Sequence, residues 1–174
     1  METKTLTPLW AAIIISLISI VLFLAYYFTG LFFGTSFIKW IPSVITIALL
    51  IYFIIKWAND NDNNVTFGSC FGYGFKIICI ATLISTAFIL IFILITPEFK
   101  QQFLEASRQQ MSQNSPQLTD DQKTQAVAMM DKMFYLVMLG GSIIGNLIVG
   151  VIASLIGAAV AKKNPQNPFT QTTM

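Results

Sequence analysis

The sequence predicts an all-α integral membrane protein: a four-helix bundle with a polar helical hairpin between its third and fourth spans. Of the 174 residues, 55% are hydrophobic and only 10% are charged, whereas soluble domains carry about 25% charged residues. Four apolar segments are long enough to cross a bilayer as helices, which takes roughly 20 residues each. The single long polar region has helical patterning. We therefore expect one membrane domain over residues 1–174.

The first two spans are predicted over residues 9–28 and 41–57. The first span is longer than the apolar part of a typical signal peptide and ends in aromatic residues, so we interpret it as an uncleaved anchor. Trp40 and Trp57 flank the second span, at the depth where indole rings favour the interface. The run of Asn and Asp over residues 59–64 is predicted to be a loop in water, because it cannot lie in lipid.

The third span is predicted over residues 71–95 and opens with an interfacial motif. Three phenylalanines are spaced four apart, and two glycines beside them have the same spacing. An aromatic ridge next to a glycine groove fits a helix that enters the membrane through its interface. We expect the lysine of the motif to snorkel to the headgroups, with a specific headgroup or ligand contact as the alternative. The motif consists of Thr66, Phe67, Gly68, Phe71, Gly72 and Lys76.

The polar insertion over residues 97–132 is predicted to form a helical hairpin. Residues 119–122 have the form of a capping box, which marks the start of its second helix. That helix either ends before the fourth span or continues into it unbroken. The hairpin has too few apolar residues for a core of its own. We therefore predict that it rests on the membrane surface through Phe99, Phe103, Met129 and Met133.

The fourth span, predicted over residues 134–161, carries small residues at four-residue spacing. Small residues let another helix approach closely, so that van der Waals contact drives association in lipid. We favour packing against the chain's own spans, and the alternative is a contact between copies or a pore lining. Asn146 would seek a hydrogen-bond partner across this interface. The predicted helix-packing residues are Ser142, Gly145, Asn146, Gly150, Ser154 and Gly157.

The residue content gives little support to catalysis or metal binding. The chain has no histidine, and its two cysteines, Cys70 and Cys79, form neither a disulfide framework nor a metal-ligand spacing. No nucleophile, base and orienting group gather in the spans. We therefore expect no enzyme activity, no catalytic residues, no metal and no cofactor. A net charge of +2 without a long basic run excludes nucleic acid as a partner.

The order of four motifs resembles a known family. They are the Thr-Phe-Gly-x-x-Phe sequence that opens the third span at Thr66, the Pro97-Glu98 pair where that span ends, the polar insertion, and a glycine-rich last span that ends in Lys162-Lys163. Together they resemble the bacterial domain of unknown function family numbered 4199. Its members are small four-span membrane proteins found mostly in the Bacteroidetes. The resemblance implies a location in the bacterial inner membrane, and it implies no activity.

We predict a non-enzymatic interaction or assembly subunit of the inner membrane that acts through helix packing and its hairpin. The alternative is a small oligomeric channel or transporter. The expected partners are membrane lipids and a second copy or another membrane protein. The positive-inside rule predicts that both termini are cytoplasmic and the hairpin periplasmic. Five lysines lie close to membrane ends on the side of the termini: Lys4, Lys56, Lys76, Lys162 and Lys163.

Overall fold

A computed structural model of the chain describes residues 7–33, 40–114 and 117–163. Within these ranges all regular structure is helical, and four helices are long and apolar enough to cross a membrane. The predicted all-α membrane bundle is thus confirmed. Lys4, which the topology prediction uses, lies outside the described ranges. The helices are α1 (Pro8–Phe28), α2 (Ile41–Asp60), α3 (Phe67–Ile95), α4 (Glu98–Asn114), α5 (Asp120–Lys132) and α6 (Phe134–Val160), with a 3₁₀ turn at Leu31–Phe33.

The loop between α2 and α3 is shorter than the sequence predicts. Helix α3 begins at Phe67, four residues before position 71, because Thr66 and Ser69 form a capping box. The Ser69 amide donates to Thr66 Oγ1 at 3.2 Å, and the Thr66 amide donates to Ser69 Oγ at 2.9 Å. Helix α2 continues past position 57 into the polar run, up to Asp60. The predicted loop therefore loses its first two residues to the helix.

Helix α3 is the centre of the bundle, since it packs against α1, α2 and α6. The core between these helices contains fully buried Ile15, Ile54 and Ile77, from α1, α2 and α3 respectively. Buried Ser16 of α1 donates to the Ala12 carbonyl at 2.7 Å, which satisfies its hydroxyl within the helix.

The hairpin is attached to the bundle through an aromatic cluster. Phe99 of α4 is fully buried, and its ring centroid lies within 6.1 Å of the rings of four residues: Phe23, Tyr27, Phe32 and Phe92. One turn further along α4, Phe103 packs edge-on against Phe134 at 5.6 Å. These two phenylalanines pack against the end of the bundle. The prediction that they rest on the membrane surface is therefore wrong. Met129 and Met133 are exposed.

The chain between α5 and α6 breaks at Met133, so the possibility of one unbroken helix is wrong. Met133 has φ −103° and ψ 16°, outside helical values, while its amide still donates to the Met129 carbonyl at 3.0 Å. The break lets α5 turn towards α4. There Lys100 Nζ lies 2.8 Å from a carboxylate oxygen of Asp131.

Candidate functional site in the membrane-spanning bundle

The small-residue face of α6 divides into two halves. In the half nearer the C-terminus, Gly150, Ser154 and Gly157 are buried against α2 and α3. A Cβ atom at position 150 would overlap the side chain of Ile78. One at position 157 would lie 2.7 Å from Ile54 Cδ1. The close approach of α3 and α6 at Ile78 thus requires glycine at position 150.

The half of α6 nearer the hairpin is uncovered. Gly145 is exposed, and a Cβ atom added there would have no neighbouring atom within 4 Å. Gly141 has the same open surroundings. Asn146 is exposed, and among the described residues its amide makes no hydrogen bond. The structure therefore brings Gly150, Ser154 and Gly157 into the core and leaves Gly145 and Asn146 outside it, with half-buried Ser142 beside them.

A cavity of about 320 Å³, which we call the polar cavity, lies next to this uncovered half. Its walls come from all four spanning helices, and Ile78 of α3 is part of them. Ser19 and Asn146 lie near the middle of α1 and α6, whereas Pro42 and Ser43 lie in the first turn of α2, so the cavity extends from the middle of two helices to the start of a third. Its polar lining residues are Ser19, Ser43, Thr46, Ser142 and Asn146. A polar recess between spanning helices is unusual, because hydrocarbon cannot satisfy hydrogen-bonding groups.

Two hydroxyls of the polar cavity already donate their protons within their own helices. Thr46 Oγ1 donates to the Pro42 carbonyl at 2.9 Å, and Ser142 Oγ donates to the Leu139 carbonyl at 2.9 Å. These two oxygens can therefore only accept a further hydrogen bond. The Asn146 amide can both donate and accept.

Two threonine hydroxyls of α3 are also unpaired: the Oγ1 atoms of Thr82 and Thr86 are buried, and neither has a hydrogen-bond partner among the described residues. The Gly74–Ser154 and Ile78–Gly150 contacts show that α3 and α6 run antiparallel. Both threonines follow these contacts along α3, so they lie on the hairpin side of them.

A second recess, the apolar cavity, adjoins the polar cavity at Gly141 and Ser142. It has a volume of about 430 Å³ and lies on the hairpin side. Its walls are formed almost entirely by apolar side chains, including those of Phe23, Phe32 and Phe103. The two cavities together form a crevice that is polar around Asn146 and aromatic towards the hairpin.

The interfacial motif lies at the opposite end of the bundle from the hairpin. Thr66 caps α3, and the exposed ring of Phe67 lies 5.7 Å from Lys163 Nζ at the end of α6. Phe71 stacks on Phe75 with ring centroids 5.9 Å apart. The glycines of the motif, Gly68 and Gly72, are not in close helix contacts, and Lys76 is exposed. The motif therefore forms a helix start and an aromatic surface, and it does not converge with the polar cavity.

Sequence reasoning missed Ser19, Ser43 and Thr46 as members of one site. A signal was present, since hydroxyl residues are scattered through the otherwise apolar first two spans. Their convergence depends on how α1 and α2 pack around α3, which no local pattern contains. Within the described ranges, no group of three or more His, Cys, Asp or Glu side chains could hold a metal ion.

Comparison with known protein families shows which family the chain belongs to. The family described as "Protein of unknown function (DUF4199)" matches residues 11–163 of the chain. This range begins in the first turn of α1 and extends just beyond α6, so it includes every helix around the crevice. No curated protein and no solved structure matches the chain.

Proposed function

Since the chain belongs to the DUF4199 family of proteins of unknown function, we propose that it is a non-enzymatic interaction or assembly subunit of a bacterial inner membrane. In this proposal the four spans anchor the protein, and the α4–α5 hairpin is the surface that binds another protein. The observation that carries the proposal is that α5 buries none of its residues. A helix without a fully buried residue leaves much of its surface free to pack against a partner.

The contacts that attach the hairpin to the bundle support this role. Phe99 and Phe103 fix α4 to the bundle, and the Lys100–Asp131 ion pair joins α5 to α4. The side chain of Met129 is nevertheless 65% exposed on α5. A flexible, exposed thioether on this helix fits an apolar surface on a partner protein. The partner we propose is a second copy or another protein of the same membrane, with membrane lipids around the spans.

The proposed orientation has both termini in the cytoplasm and the hairpin in the periplasm. Lys56, Lys162 and Lys163 lie near the ends of the spanning helices on the side away from the hairpin, and Lys76 is the tenth residue of α3 on the same side. The hairpin's cations are accompanied by acids such as Glu98 and Asp131. A surplus of basic residues close to span ends favours the cytoplasmic side.

Site-specific photocrosslinking tests the proposed hairpin contact. Benzoylphenylalanine would replace Met129, with Thr124, exposed on a different face of α5, as the matched control position. Irradiation of native membranes should give a discrete protein adduct from position 129 and a much weaker one from position 124. An adduct of twice the 19.4 kDa chain mass would identify a second copy as the partner. Equal adducts from both positions, or no adduct from position 129, would rule out this surface.

A small oligomeric channel or transporter is the second candidate, and the polar cavity favours it. A permeation path requires polar groups at mid-depth, and the cavity supplies Ser142 and Asn146 there. Purified protein in liposomes would be tested for flux of ions and small solutes. Flux that Asn146→Leu abolishes, in a protein that stays folded, would favour transport over the interaction role.

A further inference from the structure

The polar cavity contains hydrogen-bonding capacity that the described residues do not use. The Asn146 amide is exposed, and the Thr46 and Ser142 oxygens retain free lone pairs after bonding to their own helices. Lipid tails cannot bond to the Asn146 amide, so leaving it unpaired near the middle of a spanning helix is costly. A bound molecule with matching groups would remove that cost.

The lining restricts the chemistry of such a molecule. Among the described residues, none that lines either cavity is ionisable, which favours a neutral ligand, since an unpaired charge within a spanning bundle is expensive. Thr46 and Ser142 require a donor, whereas the Asn146 amide nitrogen requires an acceptor. A hydroxyl group on the ligand is both.

The adjoining apolar cavity supplies a place for the rest of the molecule. The side chains of Phe23, Phe32 and Phe103 line it, and aromatic walls pack well against a flat ring. The volumes of about 320 and 430 Å³ lie in the usual range for small-molecule pockets, about 300–1,000 Å³. Because the two cavities meet at Gly141 and Ser142, one molecule can extend into both.

We propose that the crevice is a binding site for a neutral, membrane-soluble ring alcohol or phenol. The hydroxyl group lies in the polar cavity, where it donates to Thr46 or Ser142 and accepts from Asn146. The ring lies in the apolar cavity. This inference goes beyond the proposed interaction role and is independent of any partner of the hairpin.

The test measures binding of 1-naphthol, by equilibrium dialysis, to the full chain in lipid nanodiscs, with protein-free nanodiscs to subtract lipid partitioning. We expect one saturable site per chain.

Three related probes separate the contributions of hydrogen-bond donation, hydrogen-bond acceptance and charge to binding: 1-methoxynaphthalene accepts but cannot donate, naphthalene does neither, and naphthalene-1-sulfonate is an anion. The first two should bind at least about fivefold more weakly, the effect of one lost hydrogen bond in a membrane. The sulfonate should show no saturable binding. Equal binding of naphthol and naphthalene, or no saturable site, would overturn the proposal.

Variants then locate the site. Gly145→Leu should fill the polar cavity without a backbone clash, since the glycine has open space around it, and should abolish saturable naphthol binding. The matched control is Gly72→Leu, whose surroundings are equally open but lie outside both cavities. Asn146→Leu should weaken binding at least about fivefold. If both cavity variants fold, as judged by circular dichroism, and bind naphthol like the Gly72→Leu control, the site is not in the crevice. If neither folds, the probe series on the unaltered chain still decides whether the site exists.

Discussion

Ile78 of α3 and Gly150 of α6 face each other across the helix interface, and the isoleucine side chain occupies the space that a Cβ atom at position 150 would need. Gly145, on the same helix, has open space instead. Two glycines of one pattern therefore have opposite roles: one permits the fold, and the other borders a crevice.

Replacing Gly150 by leucine should destabilise the monomer. The larger side chain must displace Ile78, and overpacking of this kind typically costs about 1–3 kcal/mol. Gly145→Leu, the matched control, should unfold at nearly the same point as the unaltered chain. Thermal unfolding in detergent, followed by circular dichroism, measures both. A Gly150→Leu protein that loses an oligomer yet unfolds normally would place this residue between copies instead.

Replacing Phe99 by alanine should loosen the hairpin. The ring is fully buried in the aromatic cluster, and deletion of a buried phenylalanine side chain costs about 3–5 kcal/mol. We expect faster tryptic cleavage at Lys100 and Arg108 in α4. The exposed neighbour provides the control, because Gln101→Ala should leave the cleavage rate unchanged. Equal protection of both variants would mean that the hairpin is held by other contacts.

Helix α5 should depend strongly on its N-terminal cap, because it has no buried residue. The backbone amide of Gln122 donates to Thr119 Oγ1 at 3.3 Å, and the backbone amide of Thr119 donates to the side-chain oxygen Oε1 of Gln122 at 3.0 Å. Thr119→Ala should cost about 1 kcal/mol of helix stability. Hydrogen exchange of the α5 amides should then accelerate about fivefold, whereas Thr124→Ala, within the helix, should not accelerate it. Unchanged exchange in Thr119→Ala would show that α5 is stabilised from elsewhere.

Reporter fusions test the proposed topology. Alkaline phosphatase, which is active in the periplasm, should be active when fused after Asn114 at the end of α4 and inactive when fused at the C-terminus. The basis is the lysine surplus at the span ends away from the hairpin. The reverse pattern would place the hairpin in the cytoplasm.

The sequence predicts the helices well because hydrophobic length and polar interruptions are local properties. One kind of error occurs where a side chain is buried by residues that are distant in the sequence. Phe99 looks like a surface contact within a polar segment, but Phe23 and Phe92, from other helices, provide a cluster that buries it. The predicted start of α3 is an error of a different, local kind: Ser69 extends the helix because it completes a capping box in the place usually taken by Glu or Gln.

The small-residue pattern of α6 shows a second limit of sequence reasoning. The four-residue spacing is continuous through Asn146, Gly150 and Ser154, so it predicts one continuous face. The structure divides that face because Ile78 and Ile54 reach only part of it. The cavity beside the remainder is formed by residues of all four spans, and its existence depends on helix placement that no single segment encodes.

The central position of α3 has a consequence for the assembly of the protein during synthesis. Helix α1 packs mainly against α3, and α2 packs mainly against α6, so the principal contacts skip over the neighbouring span in the chain. The first two spans therefore leave the ribosome before their main partners exist. They must wait in the bilayer or beside the insertion machinery until α6, the last span to be made, packs against α2 and α3. A ribosome that stalls before α6 would thus release a chain in which Ile54 and Ile78 are exposed within the membrane, because the α6 glycines against which they pack are missing. Membrane quality control could recognise such exposed side chains.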